Sequence, residues 1–460
     1  MRPDTIIGNG SEFLKRIRLG LHTQTLNAVR EVLTDVVIED ACREMGLFFR
    51  KRMLTPTVTL LHMVLAALWP EESFAAGWQV MWDILVSRQP DAAGKSPSSG
   101  SLSKARGRLP LGLFDRLFEE VATRCAESAA DFDTWRGHRV VLLDGTCVSM
   151  PDESGLMETF GTCRSGKVRG RYPLARLVTA CGICSRTVLG YSMGRYDQGE
   201  SALSWPVLKN LRKGALIVAD RGFAGAALYA RYLATDLQFV TRMHHRLKVS
   251  RLKKLVRNGP DDFITELTVW PSYRREDPTL PETVRVRVIR RAVRIRGKKR
   301  TLRLVTSLLD AERYPAEEIV ALYGARWRIE TLFDELKVTI SADVLRSKTP
   351  EGVRRELAVR MLTLNVVRTI IVDSAIKAGM RPERISFVHA VRAVVAFSPE
   401  MARAPAWKLP LIYQAMLHEV ASHVIPHRPG RNEPRAVRRE AKHYPSLRTT
   451  RRLWRLTHAA

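Results

Sequence analysis

Cysteine is scarce in this chain of 460 residues. Six are present, and all fall in its first 184 positions: Cys42, Cys125, Cys147, Cys163, Cys181 and Cys184. Small disulfide-held domains carry cysteine at much higher density, so a disulfide framework is excluded. The sequence instead fits a reducing compartment.

Long hydrophobic runs are absent as well. The most apolar stretch, Thr57 to Leu68, is shorter than the ~20 residues that a membrane-spanning helix requires. The N-terminal segment has neither the apolar core nor the small-residue cleavage site of a signal peptide. No glycine-rich phosphate-binding loop is found. We therefore expect a cytoplasmic protein with no membrane partner and no nucleotide cofactor.

Acidic residues are too few to balance the basic ones. Lys and Arg number 75 against 47 Asp and Glu, which gives a net charge of +28. A charge of this size attracts polyanions without selecting a fold. Because no amphipathic membrane anchor accompanies the basic residues, nucleic acid is the better candidate. The segment 428–460, with nine Arg and one Lys against Glu433 and Glu440, is interpreted as a DNA-holding tail, or alternatively as a solvated one.

Hydrophobic periodicity divides the chain into five parts. Short apolar strands that alternate with helices indicate an α/β core, and strands with two-residue alternation indicate an antiparallel insertion. The predicted parts are a helical DNA-binding domain (1–130), the first part of the core (137–245), an inserted β-rich domain (246–310), the second part of the core with a Glu-bearing helix (311–380), and a C-terminal helical region with the basic tail (381–460).

Two groups of basic residues are candidate DNA contacts. The first comprises Lys104, Arg106 and Arg108, on short helices typical of a helix-turn-helix reader. A solvated basic face on a helical bundle is the alternative. The second group lies in a predicted loop at 294–300 and comprises Arg296, Lys298 and Lys299.

Two carboxylates follow apolar runs of the predicted core. Asp144 follows VVLL and Asp220 follows LIVA, so we expect both at the carboxyl ends of strands, where α/β proteins place their sites. Neighbouring buried carboxylates need a counter-charge, which Mg²⁺ supplies with its preference for oxygen ligands. Helix caps or turn formers are the alternative interpretation.

A helical segment from Leu322 supplies the third element. Tyr323, Arg326, Glu330 and Lys337 stand at offsets that place them on one helical face. An ordinary salt-bridge face is the alternative. Other acidic residues compete for the site, but only Glu330 has Arg326 and Lys337 at the matching offsets. The competitors are Asp152, Asp197, Glu200, Asp334 and Glu335.

The spacing Tyr323-x2-Arg326-x3-Glu330-x6-Lys337 resembles the signature of IS4-family DDE transposases. The surrounding motifs are similar too: DGT at 144–146 before Pro151-Asp152, ADRGF at 219–223, and RYPAEEIVALYGARWRIE at 313–330. The resemblance implies a ribonuclease-H-like α/β catalytic core with an inserted antiparallel β domain and an N-terminal helical DNA-binding domain. It also implies a bacterial, nucleoid-associated protein.

The resemblance further assigns roles to residues. Asp144, Asp220 and Glu330 would be the catalytic triad and the ligands of two Mg²⁺ ions, for which Mn²⁺ could substitute. Tyr323, Arg326 and Lys337 would contact the DNA phosphate beside the scissile bond. The expected partners are double-stranded DNA, as terminal inverted repeats and as target, and a second copy of the chain in a synaptic homodimer. A ribonuclease-H-like nuclease without strand transfer, or an inactive DNA-binding relative, stays open.

Overall fold

The computed structural model describes residues 27–47, 53–69, 77–79, 81–82, 96–165, 168–170, 172–295, 298–426 and 453. Ten strands form one mixed sheet, and β3 and β4 form a separate two-stranded ribbon. The strands are β1 (Thr134–Trp135), β2 (His138–Ser149), β3 (Arg164–Ser165), β4 (Val168–Arg169), β5 (Leu174–Gly182), β6 (Val188–Arg195), β7 (Leu216–Ala219), β8 (Gln238–Arg242), β9 (Val256–Gly259), β10 (Asp262–Thr268), β11 (Thr283–Ile295) and β12 (Lys298–Thr306).

Fourteen α-helices are defined within the described residues. They are α1 (Asn27–Arg30), α2 (Asp35–Glu44), α3 (Pro56–Leu68), α4 (Ser99–Gly107), α5 (Leu111–Ser128), α6 (Ser154–Phe160), α7 (Glu200–Leu208), α8 (Ala226–Ala234), α9 (Pro271–Glu276), α10 (Ala316–Gly324), α11 (Arg328–Asp334), α12 (Pro350–Lys377), α13 (Phe387–Arg403) and α14 (Leu409–Ser422). None of those described is both long and apolar enough to cross a membrane.

The sheet has the order β6-β5-β2-β7-β8-β12-β11-β10-β9, with β1 paired to β2. Strand β5 runs antiparallel to both of its neighbours, β6 and β2, whereas β7 and β8 run parallel to β2. Strand β12 pairs antiparallel with β8. The strands of the predicted insertion therefore continue the core sheet by direct hydrogen bonding, and the five-part division of the chain stays a prediction.

Alternate residues of β2 supply the two faces of the sheet. Val140 and Leu142 belong to one hydrophobic cluster, and Val141 and Leu143 to the other, as the two-residue period of a strand requires. The first cluster joins the N-terminal helices, α10, α11 and the C-terminal helices. The second joins α7, α8 and the inserted strands.

Helix α12 is the central element of the first cluster. It has buried residues around its whole circumference and packs against α5, α14 and α3, which is the pattern of a helix enclosed by protein. Thr349 caps its N-terminus by accepting a hydrogen bond from the Gly352 amide, and Pro350 occupies the first turn. Helix α11, which carries Glu330, contacts β2, and the turn that follows it contacts α12.

Candidate active site

Asp144 and Asp220 are brought together by the parallel pairing of β2 with β7. Leu143 stands opposite Ala219 in this register, and β7 ends there. The prediction that Asp144 ends its strand is wrong, because β2 continues to Ser149 through its pairing with β5. Asp144 instead lies where β2 loses its neighbour on one side, and Asp220 is the next residue on that neighbour.

Local backbone bonds orient both carboxylates. The Gly145 amide donates to Asp144 Oδ1 at 2.9 Å, and the Gly222 amide donates to Asp220 Oδ1 at 2.6 Å. Asp220 thereby caps a single 3₁₀ turn over 221–223. Asp220 therefore does serve as a cap, as the alternative interpretation proposed. The cap uses only Oδ1, and Oδ2 takes no part in this bond.

Arg326 joins Glu330 to Asp144. Its Nη1 donates to Asp144 Oδ2 at 2.8 Å, and its Nη2 lies 3.8 Å from Glu330 Oε1. The Arg326 side chain is only 9% exposed, whereas that of Glu330 is 50% exposed. Arg326 Nε is buried without a hydrogen-bond partner, and the guanidinium lies over the Trp327 ring at 4.9 Å. Arg326 thus brings an unsatisfied cationic donor to the site.

The segment around Glu330 is not the single α-helix that the spacing predicts. Helices α10 and α11 are separated by a 3₁₀ turn at 325–327, and a π-helical turn follows at 335–339. Tyr323 is buried and hydrogen-bonds Arg326, while burial raises the pKa of its phenol. Lys337 lies in the π-turn, 3.9 Å from Asp343. It is close enough to Cys147 of β2 for its charge to lower the pKa of that thiol. The structure therefore brings Tyr323 and Arg326 to Glu330, with Lys337 farther along β2.

Glu335, a competitor of Glu330, has a structural role. It is buried and forms ion pairs with Arg368 and, at 3.3 Å, with Arg186. Burial holds the pKa of Arg368 well below its usual range. Asp334 is exposed, and Asp197 pairs with Arg195 at 3.0 Å. These surroundings favour Glu330 as the site carboxylate of this segment.

Glu200 is a fourth carboxylate at the site, although sequence reasoning set it aside. A Cβ built on Gly145 would lie 2.6 Å from Glu200 Oε1, and one built on Gly222 would lie 3.3 Å from Glu200 Oε2. Glu200 begins α7, on the sheet face opposite α11. The glycines directly after Asp144 and two after Asp220 are the sequence signal for this carboxylate, because they leave the space that it occupies.

The charges of the site are unbalanced in favour of a divalent cation. Burial raises the pKa of Asp144. The negative charge of Asp220 raises this pKa further, while the Gly145 amide and Arg326 lower it. Burial likewise raises the pKa of Glu200, and both aspartates add to the effect. The four carboxylates outnumber the two guanidinium groups beside them, those of Arg326 and Arg176. Oxygen ligands with excess negative charge suit Mg²⁺ or Mn²⁺.

The other predicted DNA contacts lie on separate elements. Lys104 and Arg106 are in α4, Arg108 follows it, and Lys104 and Arg108 are exposed. The predicted loop at 294–300 is largely wrong, because β11 extends to Ile295 and β12 begins at Lys298. Long two-stranded pairing replaces the loop, and it places Lys299 opposite Arg294.

Some predicted contacts lie outside the described residues. These are Arg296, the side chain of Lys298, and the tail 428–460 apart from Leu453.

Comparison with known proteins gives consistent matches. A family model described as "Transposase DDE domain" matches residues 135–366. The transposase InsG for insertion sequence element IS4 of Escherichia coli (strain K12) is 25% identical over 348 residues, which cover 75% of this chain and 77% of that protein. The putative transposase y4zB of Sinorhizobium fredii is 26% identical over 280 residues, which cover 59% of this chain and 71% of that protein.

Proposed function

Because this chain belongs to the IS4 family of DDE transposases and is a DNA transposase, we propose that it cuts DNA at the ends of its element and joins the freed 3′-OH ends to target DNA. Family membership carries the coarser properties: a ribonuclease-H-like core, DNA as substrate and the use of divalent metal ions. The mixed sheet agrees with such a core.

The observation that supports this reaction most directly is the Arg326 bridge. It ties Asp144 to Glu330 while the β2–β7 register sets Asp220 beside Asp144. Asp144, Asp220 and Glu330 would hold two Mg²⁺ ions, and Mn²⁺ could replace them. When bound, such ions stabilise charge on the attacking and leaving oxygens of an in-line displacement.

The reaction balances without an energy source. In the first step a water oxygen attacks a phosphorus at the element end, the P–O3′ bond breaks, and a 3′-OH and a 5′-phosphate are released. In the second step this 3′-OH attacks a target phosphodiester, which loses its own 3′ oxygen in turn. One P–O bond forms for each one broken, so no nucleotide cofactor is required.

The chain's own cations would position the reacting phosphate. Arg326 Nη2, which lies 3.8 Å from the half-exposed Glu330, can donate to a phosphate oxygen while Nη1 stays on Asp144. Tyr323 can donate one hydrogen bond, and Lys337 can act as a point charge. Lys104, Arg106 and Arg108, with Lys299 on the β11–β12 hairpin, would contribute more distant phosphate contacts, and Arg296 and Lys298 are proposed for the same role.

The remaining proposals concern assembly and location. We infer a homodimer in the synaptic complex, because two element ends must be cut and joined together. The relatives are proteins of bacteria, so the substrate would be met in the bacterial cytoplasm on the nucleoid.

The test uses duplex DNA that flanks the coding sequence, with the full-length protein in Mg²⁺ or Mn²⁺. Asp144→Asn, Asp220→Asn and Glu330→Gln should each abolish cleavage while binding in Ca²⁺ changes little, since most affinity comes from cation–phosphate contacts. Asp334→Asn is the matched control on the same segment and should cleave like wild type. Full cleavage by a triad variant would remove that residue from the site, and cleavage without joined products would favour the nuclease alternative.

A further inference from the structure

A basic groove lies beside the active site, where the turn after Asp220 meets the inserted strands. It encloses about 850 Å³ between the turn after Asp220, the end of β8, the segment that follows β8, and the β11–β12 pair. No acidic residue lines it among those described. Its cationic lining, which defines the basic groove here, consists of Arg221, Arg242, Lys248, Lys254, Arg257, Arg290 and Arg303.

Most of these charges lack a protein counter-ion. Arg290 lies 3.2 Å from Asp261. The other six have no carboxylate within ion-pair distance in the part of the chain that the structure describes. Lys254 instead lies 5.1 Å from the centre of the Phe263 ring. Among the described residues the groove therefore holds a local excess of positive charge, which a bound anion would balance.

The sheet carries an unfavourable pair of like charges beside the groove. Arg290 and Arg303 stand directly opposite each other on β11 and β12, and like charges at such positions destabilise a sheet. His244, which also lines the groove, has its pKa lowered by burial and by the neighbouring cations. A bound anion would relieve both repulsions.

The lining of the groove reaches the neighbours of the proposed catalytic residues. Arg221 directly follows Asp220, and Arg242 lies close enough to Tyr323 to act on its phenol. A polyanion in the groove would therefore be continuous with a phosphate held at the triad. A volume of this size suits a ligand of about one or two nucleotides rather than a duplex.

We propose that the basic groove binds the sugar-phosphate backbone of the DNA strand that carries the scissile phosphodiester, in the nucleotides next to that bond. The proposal rests on the proposed function. Lys and Arg dominate the lining, and they contact phosphates without reading sequence. Binding in the groove should therefore be independent of base identity.

The experiment compares two double variants of equal charge change in the full-length chain. Lys248→Glu/Arg257→Glu reverses two exposed cations of the groove. Lys209→Glu/Lys213→Glu reverses two exposed lysines at the opposite end of α7 from Glu200. Affinity for the flanking duplex is measured in Ca²⁺ across a salt series, and melting temperatures verify folding.

The groove variant should lose at least tenfold in affinity at 0.1 M salt, with a log–log slope lower by ~0.7–0.9 for each lost phosphate contact. The control variant should stay within twofold. A single neutral methylphosphonate placed beside the scissile bond should weaken DNA binding by the wild type. At one or two of these positions the same replacement should not weaken binding by the groove variant any further.

Equal slopes for the two variants, or methylphosphonate effects that add fully at every position, would overturn the proposal. Wild-type cleavage of the flanking DNA alongside such a result would leave the transposase function standing and remove only the groove. Failure of the wild type both to bind and to cleave that DNA would overturn the function and the groove together.

Discussion

Arg326 supplies a sharp prediction, because it is the internal counter-ion of the active site. Its Nη1 lies 2.8 Å from Asp144 Oδ2. In Arg326→Ala, Asp144 would face Asp220 and Glu200 without its nearest cation. We therefore expect lower stability in the metal-free protein and a larger stabilisation by Mg²⁺, since the metal must then supply the missing positive charge.

The magnitude follows from burial. Breaking a fully buried pair costs ~3–5 kcal/mol and losing a charged hydrogen bond costs ~1.5–3 kcal/mol, whereas an exposed pair is worth ~0.3–0.5 kcal/mol. Arg326 is 9% exposed and Asp144 17%, so solvent screens the pair little. We expect a loss of about 2–3 kcal/mol without metal, much of which saturating Mg²⁺ restores.

The assay is thermal unfolding in EDTA and over a Mg²⁺ titration. Arg328→Ala is the control, because Arg328 is two residues away and pairs with Glu383 at 3.4 Å rather than with Asp144. It should lower the melting temperature less and respond to Mg²⁺ as wild type does. A Mg²⁺-induced shift in Arg326→Ala no larger than that of wild type would refute the counter-ion role.

Three further predictions concern the carboxylates around this pair. Gly145→Ala would place its Cβ 2.6 Å from Glu200 Oε1, so it should displace that carboxylate and weaken Mn²⁺ binding measured by electron paramagnetic resonance; Gly324→Ala, whose Cβ would meet nothing within 4 Å, should bind like wild type. The folded-state pKa of Glu200 is raised, so without metal its contribution to stability is lost as pH rises through the window above its ordinary value of 4.5. In EDTA, the melting temperature of Glu200→Gln should therefore rise relative to that of wild type as the pH increases from 4 to 7. A melting-temperature difference that does not change with pH would contradict the raised pKa of Glu200. Glu335→Gln leaves two buried arginines without their carboxylate and should cost about 3–5 kcal/mol in urea unfolding, whereas Asp334→Asn should change stability by under about 0.5 kcal/mol; equal effects would disprove the structural assignment of Glu335.

The parts of the fold that short-range patterns specify could be predicted from the sequence. The strand Leu216–Ala219 has the predicted bounds, because a short apolar run between polar turns leaves little other choice. The closeness of Asp144 and Asp220 could be anticipated from the apolar run that precedes each of them, although only β7 ends there. The extension of β2 beyond Asp144 could not be predicted, since it depends on pairing with β5, which follows only after α6, β3 and β4.

The partner of Arg326 lay beyond the reach of spacing arguments. Helical offsets placed it beside Glu330, and the two are indeed 3.8 Å apart, yet its shorter contact is with Asp144, 182 positions away. A helical face identifies which residues share a direction, but not which strand they meet. That choice depends on the tertiary packing of α11 against β2.

Glu200 shows the same limit and a way past it. Its position depends on two glycines that are far apart in sequence and become neighbours only through the β2–β7 register. Once that register is known, a glycine after Asp144 and another two residues after Asp220 imply a side chain between them. Further site carboxylates in a mixed sheet can therefore be sought in two steps. The strands are paired first, and the helix N-terminus that faces the space left by such glycines is then identified.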